Sequence, residues 1–93
     1  MSDEHRAGRH VQILHRGGGV VAIHKPAGLP TQAPPDLDST ERRVRSLVHG
    51  AARDGYLGVP HRLDRAVSGV MLFAETPRAA RTLCRQYERR AIL

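Results

Sequence analysis

Three short apolar runs constrain the fold of this chain more than any other feature of its sequence. Residues 11–14 (Val-Gln-Ile-Leu) alternate before turning apolar, whereas residues 20–23 (Val-Val-Ala-Ile) and 70–74 (Val-Met-Leu-Phe-Ala) are apolar throughout. Runs of this length are typical of β-strands, and a strand that is apolar on both faces is typical of the centre of a sheet. The turn residues at 16–19 (Arg-Gly-Gly-Gly) predict a hairpin between the first two runs.

A loop and a helix are predicted between the second and third runs. Residues 25–35 contain Lys-Pro-Ala-Gly-Leu-Pro and a later Pro-Pro pair, which predict a loop because proline lacks a backbone N–H donor. A helix then begins at Asp38 or Ser39, since Asp38 and Glu41 have the spacing of a capping box with aspartate as the cap. Gly55 is expected to end this helix. Its apolar stripe is predicted to consist of Val44, Leu47, Val48 and Ala51.

A second helix is predicted after the third run. Residues 57–65 are expected to be extended, and Thr76 is expected to cap a helix that has Pro77 at its first position. The apolar face of this helix is predicted to consist of Ala80, Leu83, Cys84 and Tyr87. The opposite face, which we interpret as a solvated surface rather than a binding site, carries Arg78, Arg81, Arg85 and Arg89.

The alternation of strands and helices predicts a sheet protein of the α/β or α+β class. Residues 1–10 are polar and are expected to be a disordered leader, and residues 91–93 look like the start of a further strand. Three strands and two helices make a thin core for a chain of 93 residues. A sheet of central-type strands would then keep an unpaired edge. We therefore expect an incomplete domain, truncated on its C-terminal side.

The charge balance indicates a polyanionic partner. Fifteen basic residues, fourteen of them arginine, stand against nine acidic ones, for a net charge of +6. Guanidinium groups bind phosphates through paired hydrogen bonds, so a basic domain of this kind favours nucleic acid. The alternative is that the arginine content reflects genomic base composition, and charge alone does not separate the two.

The sequence argues against membrane, secreted and metal-binding proteins. No apolar run approaches the ~20 residues that span a bilayer, and the N-terminal residues lack the apolar segment of a secretory signal. The single cysteine, Cys84, fits a reducing compartment, so we expect a cytoplasmic protein. The six histidines have no ligand spacing with cysteine or carboxylate support, so no metal site is predicted.

The candidate catalytic residue is Asp64, which stands between Arg62 and Arg65 in the loop before the third strand. Nearby cations favour the charged form of a carboxylate, and an ionised aspartate at the mouth of a sheet can act as a nucleophile or a base. The alternative is an ordinary ion pair between aspartate and arginine that only fixes the loop. From these residues alone, the ion pair is the commoner case.

Two motifs in this order resemble those of the RluA-type pseudouridine synthases. His-Arg-Leu-Asp-Arg at 61–65, followed by Ser-Gly at 68–69 and an apolar strand, resembles the signature of that family. Val-Ala-Ile-His-Lys-Pro-Ala-Gly-Leu-Pro at 21–30 resembles its first motif, and the helix at 77–90 resembles its next element. The resemblance covers residues 11–93, which would be the N-terminal portion of a catalytic domain, and it implies an α+β (mixed α/β) fold with a mixed β-sheet flanked by helices.

The resemblance implies isomerisation of uridine in rRNA or tRNA, in which the base leaves its N-glycosidic bond, rotates and rejoins through carbon. Asp64 would be the catalytic carboxylate, acting on a flipped-out base without any cofactor. Arg62 matches the family's arginine that holds the RNA with its base turned out, and Arg65 is a further RNA-binding candidate. Lys25 would either position the loop or contact phosphate. His61, also a candidate at this RNA site, is interpreted as an orienting hydrogen-bond partner rather than a metal ligand.

The chain departs from the family pattern at two positions and stops before two others. His24 stands where the family commonly has Asn or Asp, and Val67 where it commonly has Thr. Arg90 and Ile92 match the start of the stretch that leads to the family's uracil-stacking aromatic residue, and the basic partner of the catalytic aspartate lies further downstream. We therefore expect this chain to be inactive by itself, and the full-length protein to be a monomer.

Two other functions stay open from the sequence. A non-catalytic pseudoenzyme could use the same basic surface to bind RNA without turning it over. An unrelated hydrolase could use Asp64 to activate water, and it would cleave its substrate instead of leaving the mass of the RNA unchanged.

Overall fold

A computed structural model of the protein describes residues 10–50 and 55–89. Within them, three strands form one antiparallel sheet in the order β1-β2-β3, with β2 in the centre. The strands are β1 (Gln12–Gly17), β2 (Val20–Lys25) and β3 (Gly69–Ala74). The helices are α1 (Thr40–His49), between β2 and β3, and α2 (Pro77–Glu88), after β3. The predicted α+β class is confirmed, as are the central position of β2 and the hairpin.

The hairpin between β1 and β2 closes through a two-residue glycine turn. Gly18 and Gly19 both have positive φ, 62° and 81°, which is the conformation that matches the twist of a two-residue hairpin. Strand β1 extends further toward this turn than the sequence indicated, so that Gly17 pairs with Val20, whereas β2 begins at Val20 as predicted and extends in the other direction to Lys25. At the same end, Arg16 donates two hydrogen bonds of 2.9 Å to the Glu75 carboxylate, which joins β1 to the residue after β3.

The core lies on one face of the sheet. Side chains alternate between the faces of a strand, so every second residue of β2 and β3 points the same way. The buried cluster consists of Val11, Val21, Ile23, Leu29, Val44, Leu57, Met71 and Phe73. On the other face, Val70 stays 59% exposed and His24 is exposed. Only one face of the sheet is therefore fully covered by the described residues.

Helix α1 begins next to Ser39, one of the two predicted starts, but its cap and its end differ from those predicted. Ser39 is the N-cap, and its hydroxyl accepts a hydrogen bond from the Arg42 N–H at 3.1 Å. The prediction of Asp38 as the cap was wrong, because its carboxylate pairs with the Arg43 guanidinium instead. The helix ends at Gly50, not Gly55, because Gly50 takes a φ of 61° and its N–H bonds the Ser46 carbonyl.

The apolar stripe predicted for α1 is only partly buried. Val44 is completely buried and Val48 is partly buried, whereas Leu47 is 49% exposed. Ala51 lies outside the described residues, as do the predicted leader up to residue 9 and the predicted strand at 91–93.

Helix α2 begins as predicted. The Thr76 hydroxyl accepts a hydrogen bond from the Ala79 N–H at 3.1 Å, and Pro77 occupies the first turn. Leu83 is buried and Tyr87 is half-buried, but Cys84 is exposed, so its placement on the apolar face was wrong. The helix packs with a narrow face centred on Leu83, and Cys84 lies roughly 100° further around it. The four arginines of the opposite face are exposed.

The segment before β3 has no regular strand. Gly58 alone forms a bridge, exchanging backbone hydrogen bonds of 2.7 and 2.9 Å with Ala74 on the outer side of β3. The extended conformation expected for residues 57–65 therefore does not become a full fourth strand in the described part of the chain. Neither α1 nor α2 has the length and apolar character of a bilayer-spanning helix.

Candidate active site

The two sequence motifs meet because β2 and β3 are antiparallel neighbours. The first motif runs from β2 into the loop that follows it, and the second lies in the loop that leads into β3; the register pairs Lys25 with Gly69 at this point. Loops that leave an antiparallel pair at the same end lie side by side. The sheet thus brings residues 25–31 against residues 61–67, although the two segments are more than thirty positions apart.

Lys25 joins the two loops from beneath. Its side chain is completely buried, and Nζ donates to the carbonyls of Pro26 at 3.0 Å, Arg65 at 3.2 Å and Val67 at 2.6 Å. Burial lowers the pKa of the Lys25 ammonium, while the negative charge of Asp64 opposes this shift. Of the two roles left open for Lys25, this geometry supports positioning the loop. An ammonium that donates its three protons to carbonyls has none left for a phosphate.

Further hydrogen bonds hold the same loop from the side. The Gly28 N–H donates to the Arg65 carbonyl at 2.7 Å, and the Arg65 Nε donates to the Gly28 carbonyl at 3.3 Å. Thr31 Oγ1 bonds both backbone groups of Leu63, at 2.7 and 3.1 Å. Sequence reasoning did not single out Thr31, because no local pattern indicates which backbone groups a threonine hydroxyl will meet.

Asp64 lies on the exposed side of this loop. Its carbonyl accepts a hydrogen bond from the Val67 N–H at 2.9 Å, so that Asp64 is the first residue of a tight turn. Among residues 10–50 and 55–89, no side chain donates a hydrogen bond to the Asp64 carboxylate or forms an ion pair with it. The carboxylate is therefore exposed to solvent, while Lys25 and Thr31 hold the backbone of its loop by hydrogen bonds.

The two arginines beside Asp64 are also exposed. Arg65 uses Nε to bond the Gly28 carbonyl, and neither Arg62 nor Arg65 forms an ion pair with Asp64 in the described part of the chain. The alternative of an ordinary aspartate–arginine pair that fixes the loop is thus not what the structure shows. Both guanidinium groups stay available to an anionic ligand, and their RNA-binding role stays a prediction.

His61 is bonded to the neighbouring elements. Its Nε2 accepts a hydrogen bond from the Leu72 N–H of β3 at 3.1 Å, and its ring stacks on Tyr87 of α2 with centroids 4.5 Å apart. Burial lowers the pKa of His61 and raises that of Tyr87. A ring nitrogen that accepts from a backbone N–H must be unprotonated, so His61 is neutral here. This geometry is that of an orienting hydrogen-bond partner; contact with RNA stays a prediction.

The arrangement presents one unpaired carboxylate on a rigid turn, with two guanidinium groups beside it. Such a carboxylate can act as a nucleophile or as a base toward a substrate that the arginines hold by its phosphates. In the described residues, no three side chains of His, Cys, Asp or Glu are grouped so as to bind a metal ion.

Comparisons with known proteins agree with this reading of the two motifs. A model of the family described as RNA pseudouridylate synthase matches residues 19–92. The tRNA pseudouridine synthase C of Haemophilus influenzae is 38% identical over 85 residues, covering 88% of this chain and 34% of that protein. The dual-specificity RNA pseudouridine synthase RluA of Pasteurella multocida is 36% identical over 84 residues, covering 87% of this chain and 36% of that protein.

A solved structure shows the same likeness in three dimensions. The human RNA pseudouridylate synthase domain containing 4 superposes with a TM-score of 0.68 at 30% sequence identity. The match covers 86% of this chain and 30% of that one. The chain spans about a third of the length of the curated relatives it matches.

Proposed function

The chain belongs to the RNA pseudouridylate synthase family, and from this premise we propose that it supplies the catalytic carboxylate of an enzyme that isomerises uridine to pseudouridine in tRNA or rRNA. The proposal rests on Asp64, whose exposed carboxylate has no hydrogen-bond or ion-pair partner among the described residues and whose loop is fixed by Lys25 and Thr31. A carboxylate that served only to hold the loop would be bonded to it.

Asp64 is proposed to act on the ribose of the target uridine. The carboxylate either adds to the sugar as the base leaves, or assists deprotonation of the sugar, and the base then rejoins through carbon. A paired uridine is inaccessible, so the target nucleotide is flipped out of its stack first. Asp64 lies on the exposed face of the loop, and hydrogen bonds from Lys25 and Thr31 hold the loop backbone. The carboxylate is therefore already positioned when the flipped nucleotide binds.

Arg62 and Arg65 are proposed to hold the RNA backbone beside the target. Both are exposed and lie within two residues of Asp64, and the whole chain carries a net charge of +6. Planar guanidinium groups suit phosphate recognition because they bond two oxygens at once. The reaction transfers no group to a second molecule and changes no oxidation state, so we propose that it proceeds without a cofactor, in the cytoplasm.

The 93-residue chain is proposed to lack turnover by itself. The chain corresponds to about a third of each relative, and the uracil-stacking aromatic residue and the basic partner of the aspartate are expected in the remaining part. A chimera tests the function directly. The 85 aligned residues of the Haemophilus influenzae tRNA pseudouridine synthase C are replaced by the matching segment of this chain, and digested RNA is separated by nucleoside chromatography.

The chimera is expected to form pseudouridine, and Asp64→Asn is expected to reduce its rate by more than about a thousandfold. Asp36→Asn, at an exposed aspartate outside the site, is the matched control and is expected to leave the rate unchanged. Turnover that survives Asp64→Asn would refute the assignment. Turnover by the isolated chain would refute its proposed dependence on a further part. RNA binding by the chimera without any turnover would favour the pseudoenzyme.

A further inference from the structure

Thr31 connects helix α1 to the loop that carries Asp64. The residue is 4% exposed, and its hydroxyl lies against Leu63, the residue immediately before Asp64. Thr31 Oγ1 donates to the Leu63 carbonyl at 2.7 Å and accepts from the Leu63 N–H at 3.1 Å. One side-chain oxygen therefore satisfies both backbone groups of Leu63.

A hydroxyl makes this pair of bonds through a single atom. A hydroxyl carries one donor and two acceptor lone pairs on the same atom, whereas a carboxylate only accepts and an ammonium only donates. Met71 Sδ lies 3.8 Å from Thr31 Oγ1, but a thioether is a weak acceptor and the carbonyl of Leu63 is much closer. Valine has nearly the same shape as threonine and would leave both groups of Leu63 unpaired.

The backbone around Thr31 is itself held by the first turn of α1. The Glu41 N–H donates to the Thr31 carbonyl at 3.0 Å, and the Thr40 N–H donates to the Pro30 carbonyl at 2.8 Å. The Thr40 hydroxyl, which is completely buried, donates to the same Pro30 carbonyl at 3.1 Å. The two backbone bonds hold Thr31 against the first turn of the helix, and the Thr40 hydroxyl only adds a second donor to a Pro30 carbonyl that the Thr40 N–H already bonds.

We propose that Thr31 is a positioning residue for Asp64, and this inference rests on the proposed function of Asp64. Thr31 fixes the backbone on the N-terminal side of Asp64, while Lys25 fixes the carbonyls of Arg65 and Val67 on the C-terminal side. Two buried residues, Lys25 within the first motif and Thr31 immediately after it, thereby clamp the backbone on either side of Asp64. Because both clamps act on the backbone, the side chain of Asp64 stays free.

Amide hydrogen exchange in the 93-residue chain tests the clamp without any need for activity. Three variants are compared with the unaltered chain: Thr31→Val, which removes the hydroxyl; Thr31→Ser, which keeps it; and Thr40→Val, which removes an equally buried hydroxyl that bonds Pro30 and not Leu63. In Thr31→Val, exchange of the Leu63 amide relative to core amides such as Ile23 is expected to rise about tenfold. Thr31→Ser and Thr40→Val are expected to leave this ratio within about twofold.

The pattern across the variants decides the inference. A purely structural role would change the Leu63 and core amides together, and would make Thr40→Val resemble Thr31→Val. An unchanged Leu63 ratio in Thr31→Val, or an equal rise in Thr31→Ser, would overturn the proposal. If Thr31→Val fails to fold while Thr40→Val folds, the Leu63 exchange ratio in Thr31→Ser decides whether Thr31 positions the loop. Serine keeps the hydroxyl but not the methyl group, so protection at Leu63 must be preserved.

The same variants in the chimera test the connection to catalysis. Thr31→Val is expected to lower kcat about tenfold with a smaller change in KM, since the long side chains of Arg62 and Arg65 can still reach phosphates when the backbone shifts, and Thr31→Ser is expected to restore most of the rate. Thr40→Val is expected to leave kcat unchanged at temperatures where it stays folded. A KM effect without a kcat effect would contradict a positioning role. If every chimera is inactive, including the one with Thr31, the proposed function fails while the exchange ratios still decide the clamp.

Discussion

The two ends of the sheet are held together in different ways. At the hairpin end, two strands join through the turn at Gly18 and Gly19, and the nearby contact is the exposed ion pair of Arg16 with Glu75. At the Asp64 end, two long loops are joined by buried polar side chains, Lys25 and Thr31, that bond backbone groups. Both ends have contacts between residues more than thirty positions apart, but at the hairpin end that contact is exposed, whereas at the Asp64 end the two side chains that make the contacts are buried.

This difference between buried and exposed contacts indicates which end of the sheet is held in a single conformation. A buried polar group is costly unless it is fully bonded, so it specifies the geometry of its partners strictly. In the described residues, no buried side-chain nitrogen or oxygen lacks a hydrogen-bond partner. An exposed ion pair tolerates movement and contributes little. The end of the sheet that carries the candidate catalytic residue is the one with the strict arrangement.

The largest effect is expected from Lys25→Met, which removes the ammonium and keeps an unbranched apolar chain of similar length. The carbonyls of Pro26 and Val67 then lose their donor and that of Arg65 keeps only the Gly28 N–H, so the free energy of unfolding is expected to fall by about 2–4 kcal/mol. Urea denaturation measures this. Arg78→Met, at an exposed cation of α2, is the control and is expected to change stability by less than about 0.5 kcal/mol. Equal stability of the two variants would mean that the buried contacts of Lys25 stabilise the chain no more than an exposed cation does, which would contradict the comparison.

A smaller effect is expected from His61→Phe, which keeps an aromatic ring against Tyr87 but leaves the Leu72 N–H without its acceptor. The expected loss is about 1 kcal/mol at neutral pH. Burial lowers the pKa of His61 below its ordinary value of 6.5, so the unfolded chain binds more protons as the pH falls. The stabilisation by His61 is therefore present above pH 6.5 and is lost as the pH falls through the folded-state pKa.

Urea denaturation at a series of pH values checks this sign. The difference in stability between the unaltered chain and His61→Phe is expected to shrink on acidification. Tyr87→Phe, which keeps both the stack and the imidazole, is expected to retain the pH dependence. A difference that grows as the pH falls would contradict a neutral His61 in the folded chain.

The smallest effect is expected at the hairpin end, from Arg16→Gln. The pair with Arg16 lowers the pKa of Glu75 below its ordinary value of 4.5, so its stabilisation is present above pH 4.5 and is lost as the pH falls through the folded value. Because the pair is exposed, the urea midpoint is expected to shift only slightly, and less still at about 1 M salt, where charges are screened within roughly 3 Å. A shift as large as that of Lys25→Met would contradict the comparison.

Elements that are specified by local sequence signals could be predicted. Features that depend on contacts between separate side chains or strands could not. Proline at position 77 and the apolar run at 70–74 each constrain their own segment, and both gave the right element. Ser39 and Asp38 are both good caps, and only the position of Arg43 decides that Asp38 forms an ion pair instead.

The candidate site shows the same limit. Asp64 could be found because its motif is continuous in sequence. The contact between the two motifs could not, because it follows from the pairing of β2 with β3. Thr31 was missed for this reason, since its partner Leu63 is distant in sequence. The depth of Lys25 was missed as well, because a lysine in a polar loop gives no local sign that it is buried.

The most direct test of the central claim measures RNA affinity and turnover side by side in the Asp64→Asn chimera. If Asp64 is the catalytic carboxylate, free of structural partners and held by the loop behind it, pseudouridine formation is lost while the Kd for RNA stays within about threefold. Turnover that persists, or an RNA affinity that falls as far as the rate does, would contradict the account.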